Sequence, residues 1–235
     1  MATRQNDFLG KIVSEAVSEV IPKSVKPKKV DEAYVVQSKT FETNTESLSE
    51  KTKASHQKLL DGYVKTLNEV SAKLDSVSRD DASPNHSEFR CLKLDESHNL
   101  NAAFLHGLYF DNIGDPKSSI TTDSLTYMRL ERDWGSFDAW QKDFIACSIS
   151  SRNGWAVTCY NTFLKRYINV MVDLHNGNIP MGCIPVIVMD CWEHAYYRDY
   201  LTDRKSYVFA MMREINWTKV HARFEKAEKA AKVLS

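Results

Sequence analysis

The order of two hydrophobic patterns along the chain constrains its fold more than any other feature of the sequence. Apolar residues recur at helical spacing through residues 48–74, whereas three short runs rich in β-branched and aromatic residues come only later, between residues 154 and 190. Helices that precede a group of strands are typical of an α+β fold. The residues predict an antiparallel helical pair, followed by further helices and a three-stranded antiparallel sheet.

Turn-forming residues divide these patterns into elements. The stretch "SRDDASPNHSEF" separates the two helices of the pair, and Gly135 separates two further helices, the second with Ser136 as a suitable N-cap. Strands are expected in "GWAVTCYNTF", "RYINVMVDL" and "IPVIVMD", arranged as a meander. The remaining helices are expected from Ser47, over 98–112, over 203–215 and over 216–234.

The N-terminal residues 1–40 differ from the rest and are expected to form an extension and linker. A helical hairpin domain over residues 41–116 and an α/β domain over residues 117–235 would follow. The stretch "NDFLGKIVSEAVSEVI" has one apolar helical face, and the basic "PKSVKPKKVDE" comes after it. Asp7, Glu15 and Glu19 disfavour a mitochondrial transit peptide. We expect this segment to pack on its own chain or to dock on another protein.

Charge and cysteine content exclude several classes of protein. The 31 basic and 31 acidic residues cancel, which disfavours nucleic acid and anionic membranes as partners. No apolar run reaches the roughly 18 residues of a membrane span, and a secretory signal is not evident. Five cysteines without a C-x-x-C spacing argue against a disulfide framework and a thiolate zinc site. A reducing, cytoplasmic location is therefore expected.

Four side chains are candidates for a metal site. They are His56 and His106 on the two long helices, Asp190 at the end of the last strand, and His194 one helical turn later. Three imidazoles and one carboxylate suit a first-row transition metal and leave a coordination position open. Each residue alone has a plainer explanation, such as a solvated helix position, a buried core histidine or a surface pair. The hypothesis depends on their combination.

The residues around these candidates resemble a known family, the iron/manganese superoxide dismutases. The stretch "DCWEHAYYRDYLTDRKSYVFAMMREINWTKVHARF" is similar to its C-terminal signature, and "GSFDAWQKDFIACSISSRNGWAV" is similar to its middle block. "HNLNAAFLHGLYF" resembles its second-helix motif, and "LSEKTKASH" with "KLLDGYVKTLN" resembles its first helix. The resemblance covers about residues 41–230, and its C-terminal block is highly specific.

This resemblance implies both a fold and an activity. The fold would be a helical hairpin packed on an α/β domain with a three-stranded antiparallel sheet, and one iron or manganese ion would lie between them. Its metal ligands would be His56, His106, Asp190 and His194. The activity would be the disproportionation of superoxide to dioxygen and hydrogen peroxide, an antioxidant function. Tyr63, two helical turns after His56, would overhang the site, gate substrate entry and join the proton relay.

The resemblance also assigns residues around the ligands. Trp155 and Trp192 would form an apolar wall that excludes bulk water, although plain core packing would explain them equally. Glu193 would reach across a two-fold interface to the partner's metal-binding histidine, so a homodimer is expected. Tyr197 is present, but Leu59 or Leu60 stands where the family has its first-helix histidine.

Two further departures concern the first helix and the metal-bound solvent. One residue fewer than usual separates His56 from Tyr63, which suggests a helix without a π-bulge, or an alignment with Ser55 at the ligand position. Serine is a poor ligand for these metals, so His56 is preferred. The glutamine that normally contacts the solvent ligand is missing, and the positions that supply it hold Ala102 and Gly177.

The group that replaces this glutamine is expected to decide between iron, manganese and inactivity, because it tunes the redox potential. His175, Asn176 and Asn178 are the candidates. Two alternative functions remain: a non-catalytic subunit of a larger assembly that keeps the family fold, and a hydrolytic enzyme that holds zinc with the same ligands.

Overall fold

The computed structural model describes residues 33–113, 115 and 117–234. The amphipathic helix predicted in the N-terminal extension therefore lies outside the described residues. Within the described part of the chain, none of the helices combines the length and the apolar character needed to cross a membrane.

Two long helices form the predicted antiparallel pair. Helix α1 spans Glu50–Ser76 and helix α2 spans Glu88–Asn112. Each begins at a serine whose hydroxyl accepts a backbone N–H of the first turn, Ser49 for α1 and Ser87 for α2. Because Ser87 caps α2, this helix begins ten residues earlier than the hydrophobic pattern predicted. The apolar side chains Leu60, Val64, Leu67, Val70 and Leu74 bury one face of α1.

Residues 33–40, which the sequence assigned to a linker, pack on α1. The side chain of Asn68 pairs with both backbone groups of Val36, at 2.7 and 2.9 Å. The hydroxyl of Ser71 accepts the backbone N–H of Tyr34 at 2.7 Å. The Asn68 amide and the Ser71 hydroxyl thus satisfy backbone groups of this extended segment.

Two shorter helices lie between the hairpin and the sheet, α3 at Leu125–Trp134 and α4 at Phe137–Ser150. Gly135 ends α3 with a φ of 83°, a left-handed conformation that glycine adopts without a steric penalty. Ser136 then caps α4 by accepting the N–H of Ala139 at 3.0 Å. The predicted break and cap are confirmed.

The sheet contains strands β1 (Gly154–Asn161), β2 (Arg166–Asp173) and β3 (Cys183–Asp190), all antiparallel. Their order is β2-β1-β3, so the predicted meander is wrong. Strand β1 is buried along nearly its whole length and is the central strand of the sheet. The connection of residues 174–182 crosses from β2 to the opposite edge of the sheet, where β3 pairs with β1. There the apolar β3 packs against α2. Gly154 is required because a Cβ would stand 1.9 Å from the carbonyl oxygen of Val172.

Three helices complete the chain: α5 at Glu193–Tyr200, α6 at Arg204–Arg213 and α7 at Trp217–Leu234. The two predicted tail helices are confirmed, and α5 is an additional short helix directly after the sheet. One continuous core joins the inner faces of α1 and α2 to the sheet and to α6 and α7. The architecture is the predicted α+β fold, with a helical N-terminal pair and a C-terminal α/β part.

Candidate metal centre

The four candidate ligands come together between the helical pair and the sheet. Oδ2 of Asp190 lies 3.1 Å from Nε2 of His56, 3.6 Å from Nε2 of His106 and 3.2 Å from Nε2 of His194. One donor atom from each residue lies within 4.8 Å of all the others. His56, His106 and Asp190 are fully enclosed, and the side chain of His194 keeps 26% of its surface exposed.

The elements of the fold explain this convergence. His56 and His106 lie on the facing sides of α1 and α2, where the two helices meet the sheet. Asp190 is the last residue of β3, and its Oδ1 accepts the backbone N–H of Trp192 at 2.9 Å, which fixes the carboxylate. His194 follows in the first turn of α5. Ser55, the alternative in α1, is exposed, and its hydroxyl donates to the carbonyl of Lys51 at 2.8 Å.

The ring of His106 has a defined tautomer. Its Nδ1 lies 2.6 Å from the carbonyl oxygen of Ala102, which can only accept, so Nδ1 carries the proton and Nε2 presents a lone pair. That lone pair faces Nε2 of His194 at 3.4 Å. Burial, and next the neighbouring His56, holds the pKa of His106 well below its usual value. A neutral imidazole with a free Nε2 is the form that binds metals.

The charge balance of the cluster also suits a cation. Burial would raise the pKa of Asp190, but the charge of His194 and the hydrogen bonds of His194 and His56 outweigh it, so the pKa lies below its usual range. The backbone carbonyl of Asp190 accepts the hydroxyl of Tyr207 at 2.8 Å, which anchors the strand end. A buried carboxylate beside three convergent imidazole nitrogens fits an iron or manganese ion.

A hydrogen-bonded chain of three side chains borders the cluster. The indole Nε1 of Trp155 donates to Nδ1 of His175 at 3.0 Å, and Nε2 of His175 lies 3.0 Å from the hydroxyl oxygen of Tyr63. An indole N–H can only donate, so Nδ1 of His175 accepts and Nε2 carries the proton, which it donates to Tyr63. Burial, and next the nearby His98, lowers the pKa of His175 to about 4, so the ring is neutral at pH 7.

His175 is the only one of the three candidates for the missing glutamine that contacts this chain of side chains. Asn176 instead donates to the hydroxyl of Ser97 at 3.2 Å, and Asn178 donates to Asp173 at 3.0 Å. Both amides hold the connection of residues 174–182 in place. Ala102, one of the two positions that lack the glutamine, is fully buried beneath the site.

Tyr63 reaches the site from an uninterrupted helix. α1 runs as a regular α-helix through both His56 and Tyr63, so the shorter spacing is accommodated without a π-bulge. The ring of Tyr63 lies 5.2 Å from that of His106. Burial, and next the charge of Asp190, raises the pKa of Tyr63 to about 12, so its hydroxyl keeps its proton at pH 7.

The two tryptophans enclose the cluster on the sheet side. Trp155 has no exposed surface, and its ring stands edge-on to His106 at 4.8 Å. Trp192 stacks on His175 at 4.9 Å and on His194 at 5.7 Å. Nε1 of Trp192 is buried and has no hydrogen-bond partner among the described residues. Both rings therefore lie beside the histidines of the cluster, where the expected wall would stand.

The residues expected at a subunit interface lie on the surface of the single chain. Glu193 and Tyr197 of α5 are exposed and do not join the cluster. Of the two leucines that could stand at the position of the family's first-helix histidine, Leu60 is buried in the core and Leu59 is half-buried. The two leucines therefore have apolar surroundings, whereas Glu193 and Tyr197 lie on the surface of the single chain.

The sequence analysis missed His98, which extends the chain of side chains toward the surface. Its half-buried ring lies 4.7 Å from His175 and 6.2 Å from Tyr63. His98 precedes His106 by eight residues, just over two helical turns, so it lies on a similar side of α2. That spacing is the signal in the sequence that could have found it.

Comparisons with known proteins agree with this geometry. The family described as "Iron/manganese superoxide dismutases, C-terminal domain" matches residues 123–223. The iron superoxide dismutase of Aquifex aeolicus is 38% identical over 176 residues, which cover 74% of this chain and 82% of that protein. The iron enzyme of Cupriavidus metallidurans is 33% identical over 77% of this chain and 90% of its own length. Superoxide dismutase [Mn] 2 of Haloferax volcanii is 33% identical over 56% of this chain and 65% of its length.

A helical pair is joined to a small antiparallel sheet, and the buried group of three histidines and one aspartate between them is compatible with a metal site, as in a metal-binding protein. The chain belongs to the iron/manganese superoxide dismutase family. Relatives that use iron and relatives that use manganese are both similar to it.

Proposed function

We propose that this chain is an active superoxide dismutase that holds one iron or manganese ion with His56, His106, Asp190 and His194. The observation that carries the proposal is the convergence of one donor atom from each residue within 4.8 Å in a buried pocket. The fixed tautomer of His106 supports it, because the free Nε2 has no hydrogen atom with which to satisfy Asp190.

When bound, such an ion would supply the one-electron oxidation of one superoxide and the one-electron reduction of the next, which also needs two protons. The residues of the chain would do the rest. Trp155 and Trp192 would keep bulk water away from the reacting anions. Tyr63 retains its hydroxyl proton at neutral pH and stands beside the cluster, so it would hold a proton where peroxide forms.

His175 would take the place of the missing glutamine. Its single N–H is directed to Tyr63, and Trp155 occupies its other nitrogen. A primary amide has two N–H groups and could serve two acceptors, whereas a neutral imidazole has one. The chain Trp155–His175–Tyr63 would therefore orient the tyrosine hydroxyl and act on the site through it.

Two further features of the proposal concern assembly and organisation. Glu193 and Tyr197 lie on one exposed helix beside His194, which supports a homodimer through this surface.

The division into an extension of residues 1–40, a hairpin domain of residues 41–116 and an α/β domain of residues 117–235 also remains a proposal. The cytoplasmic location stays a prediction from the cysteine content.

The experiment is metal analysis and a superoxide-consumption assay on protein purified from cells supplied with iron or manganese. Stoichiometric metal with rapid consumption is the expected result. Bound metal without consumption would support the non-catalytic subunit instead, and bound zinc would support the hydrolytic alternative. The matched control is His221→Gln, which changes a surface histidine of α7 near Thr126 and leaves the cluster intact.

A further inference from the structure

Two thiols that lie far apart in the sequence meet on one face of the sheet, outside the metal centre. Cys159 is in β1, and Cys183 is the first residue of β3. In the register between these strands, Asn161 faces Cys183 and Cys159 faces Pro185. Paired residues, and residues two apart on a strand, point to the same side. The two side chains are therefore diagonal neighbours.

Both cysteines line a small apolar cavity between the sheet and α2. Its volume is about 150 Å³. Apolar side chains from α2, β1, β2 and the connection to β3 form most of its wall, among them Phe104, Val157 and Ile179. Cys159 is almost fully buried, whereas Cys183 is half-buried. A small neutral molecule therefore reaches the sulfur of Cys183 more readily than that of Cys159.

Asn161 defines the chemistry of Cys183. The Oδ1 of Asn161 accepts the backbone N–H groups of Phe163 at 3.1 Å and Leu164 at 2.9 Å, in the turn after β1. The turn therefore fixes the amide so that Nδ2 points to Sγ of Cys183, at 3.4 Å. The Sγ of Cys183 is therefore the acceptor of this hydrogen bond, because the amide nitrogen of Asn161 can only donate.

The thiol of Cys159 interacts with that of Cys183 across the two strands. This interaction, and to a lesser degree the hydrogen bond from Asn161, lowers the pKa of Cys183 against the effect of burial. The same interaction raises the pKa of Cys159. Cys183 accepts the Asn161 N–H and is the more exposed of the two sulfurs, so it is the better nucleophile.

The other cysteines lack this arrangement. Burial raises the pKa of Cys147 to about 11 and that of Cys191 to about 12, so neither is a thiolate at neutral pH. Cys91 is exposed on α2.

We propose that Cys159 and Cys183 form a peroxide-reactive dithiol, which hydrogen peroxide converts reversibly into a disulfide. The Cys183 thiolate attacks one peroxide oxygen, the O–O bond breaks, and the leaving hydroxide takes up a proton as water. The sulfenic acid on Cys183 then reacts with Cys159. The thiol gives up its proton, an S–S bond forms, the S–O bond breaks and a second water leaves. Two thiols and one peroxide thus give one disulfide and two waters.

The fold permits this closure. A disulfide needs the two sulfurs at about 2.05 Å. The pairing of β1 with β3 shifts between Thr158 and Cys159. Pro185, which faces Cys159, has no N–H to donate to the ladder, so the strands can adjust beside this thiol. The reaction needs no metal, so the inference does not rest on the proposed function, under which peroxide is also the product.

The test treats the full reduced protein with added hydrogen peroxide at pH 7 and maps the products by mass spectrometry. We expect a loss of about 2 Da, a peptide pair linked through Cys159 and Cys183, and recovery of both thiols with dithiothreitol. Peroxide that oxidises Cys91 while this pair stays reduced would overturn the proposal. Because peroxide is added directly, this result is independent of metal loading and dismutase activity.

Substitutions separate the roles of the two thiols. Cys159→Ser is expected to leave the sulfenic acid on Cys183, which dimedone captures, whereas Cys183→Ser gives neither product and Cys91→Ser behaves as the wild type. Asn161→Asp keeps the oxygen that the turn needs and removes the N–H, so oxidation at pH 7 should be slower than in the wild type and the midpoint of its pH profile should shift upward. An unchanged rate in Asn161→Asp together with a rapid reaction of Cys183→Ser would contradict the assignment.

Discussion

The inner cluster and the chain of side chains beside it differ in how closely they follow the family. The inner cluster of His56, His106, Asp190 and His194 keeps every residue that the resemblance implies. In the adjoining Trp155–His175–Tyr63 chain, the proposal places a different residue where the family has its glutamine, an imidazole instead of an amide. Under the proposed function, the difference teaches that the residues that hold the metal and the residue that tunes it can change independently, even though His56 and Tyr63 lie on the same helix α1.

The largest effect is expected from the inner cluster. Asp190→Asn keeps the shape of the side chain but removes its charge, which should lower metal affinity by more than the roughly 10- to 100-fold typical of changes outside the ligand set. Metal content by mass spectrometry and the rate of superoxide consumption measure this. A variant that retained metal at the level of His221→Gln would show that the carboxylate is not a ligand.

The next effect is expected from His175. His175→Ala leaves the buried indole N–H of Trp155 without an acceptor, a change that costs about 1–3 kcal/mol of unfolding free energy. Superoxide consumption should fall by roughly 10- to 100-fold. His175→Gln restores an acceptor and a donor, so it should recover both properties in large part. If Ala and Gln variants behaved alike in chemical denaturation and in the assay, the chain would have no orienting role.

In metal-free protein, the pH dependence of stability should reveal the contribution of the Trp155–His175–Tyr63 chain separately from that of the inner cluster. The pKa of His175 is lowered to about 4 in the folded state, below the ordinary value of 6.5, so the unfolded state binds the proton more tightly. Its contribution is therefore complete above pH 6.5 and is lost as the pH falls toward 4. We expect the thermal midpoint of the wild type to fall more steeply over this range than that of His175→Gln.

The difference between the two proteins at pH 4 should be on the order of 1–3 kcal/mol, because the ring is buried and each unit by which its pKa is lowered corresponds to about 1.4 kcal/mol. If the thermal midpoints of the wild type and His175→Gln fell in parallel with decreasing pH, another titratable group would cause the loss of stability in acid.

The smallest effect is expected at Trp192. Trp192→Phe keeps a ring between His175 and His194 and removes a buried N–H that has no partner among the described residues. The free energy of unfolding should stay the same or rise by up to about 1 kcal/mol. A clear loss of stability would show that this N–H has a partner in the assembled protein.

The sequence predicted the parts of the molecule that local patterns determine. The helical pair, the break at Gly135 and the α+β architecture follow from periodicity and from capping residues. The strand order could not be predicted, because a nine-residue connection can place β3 beside either β2 or β1. The strand order depends on tertiary packing, because the apolar β3 packs against α2.

The site divides in the same way. The candidate ligands could be predicted because they lie in distinctive motifs, but the ring contacts of His98 and the position of His175 depend on how the connection of residues 174–182 folds against α2. The thiol pair was also hidden, since Cys159 and Cys183 are neighbours only through the register of β1 and β3. Spacing along the chain carries no information about such contacts.

Metal stoichiometry measured together with superoxide consumption, on one preparation grown with iron and another grown with manganese, tests the central claim most directly. The account predicts close to one ion per chain and rapid consumption with at least one of the two metals, both lost in Asp190→Asn. A folded protein that binds neither metal, or that consumes superoxide equally well after Asp190→Asn, would contradict it.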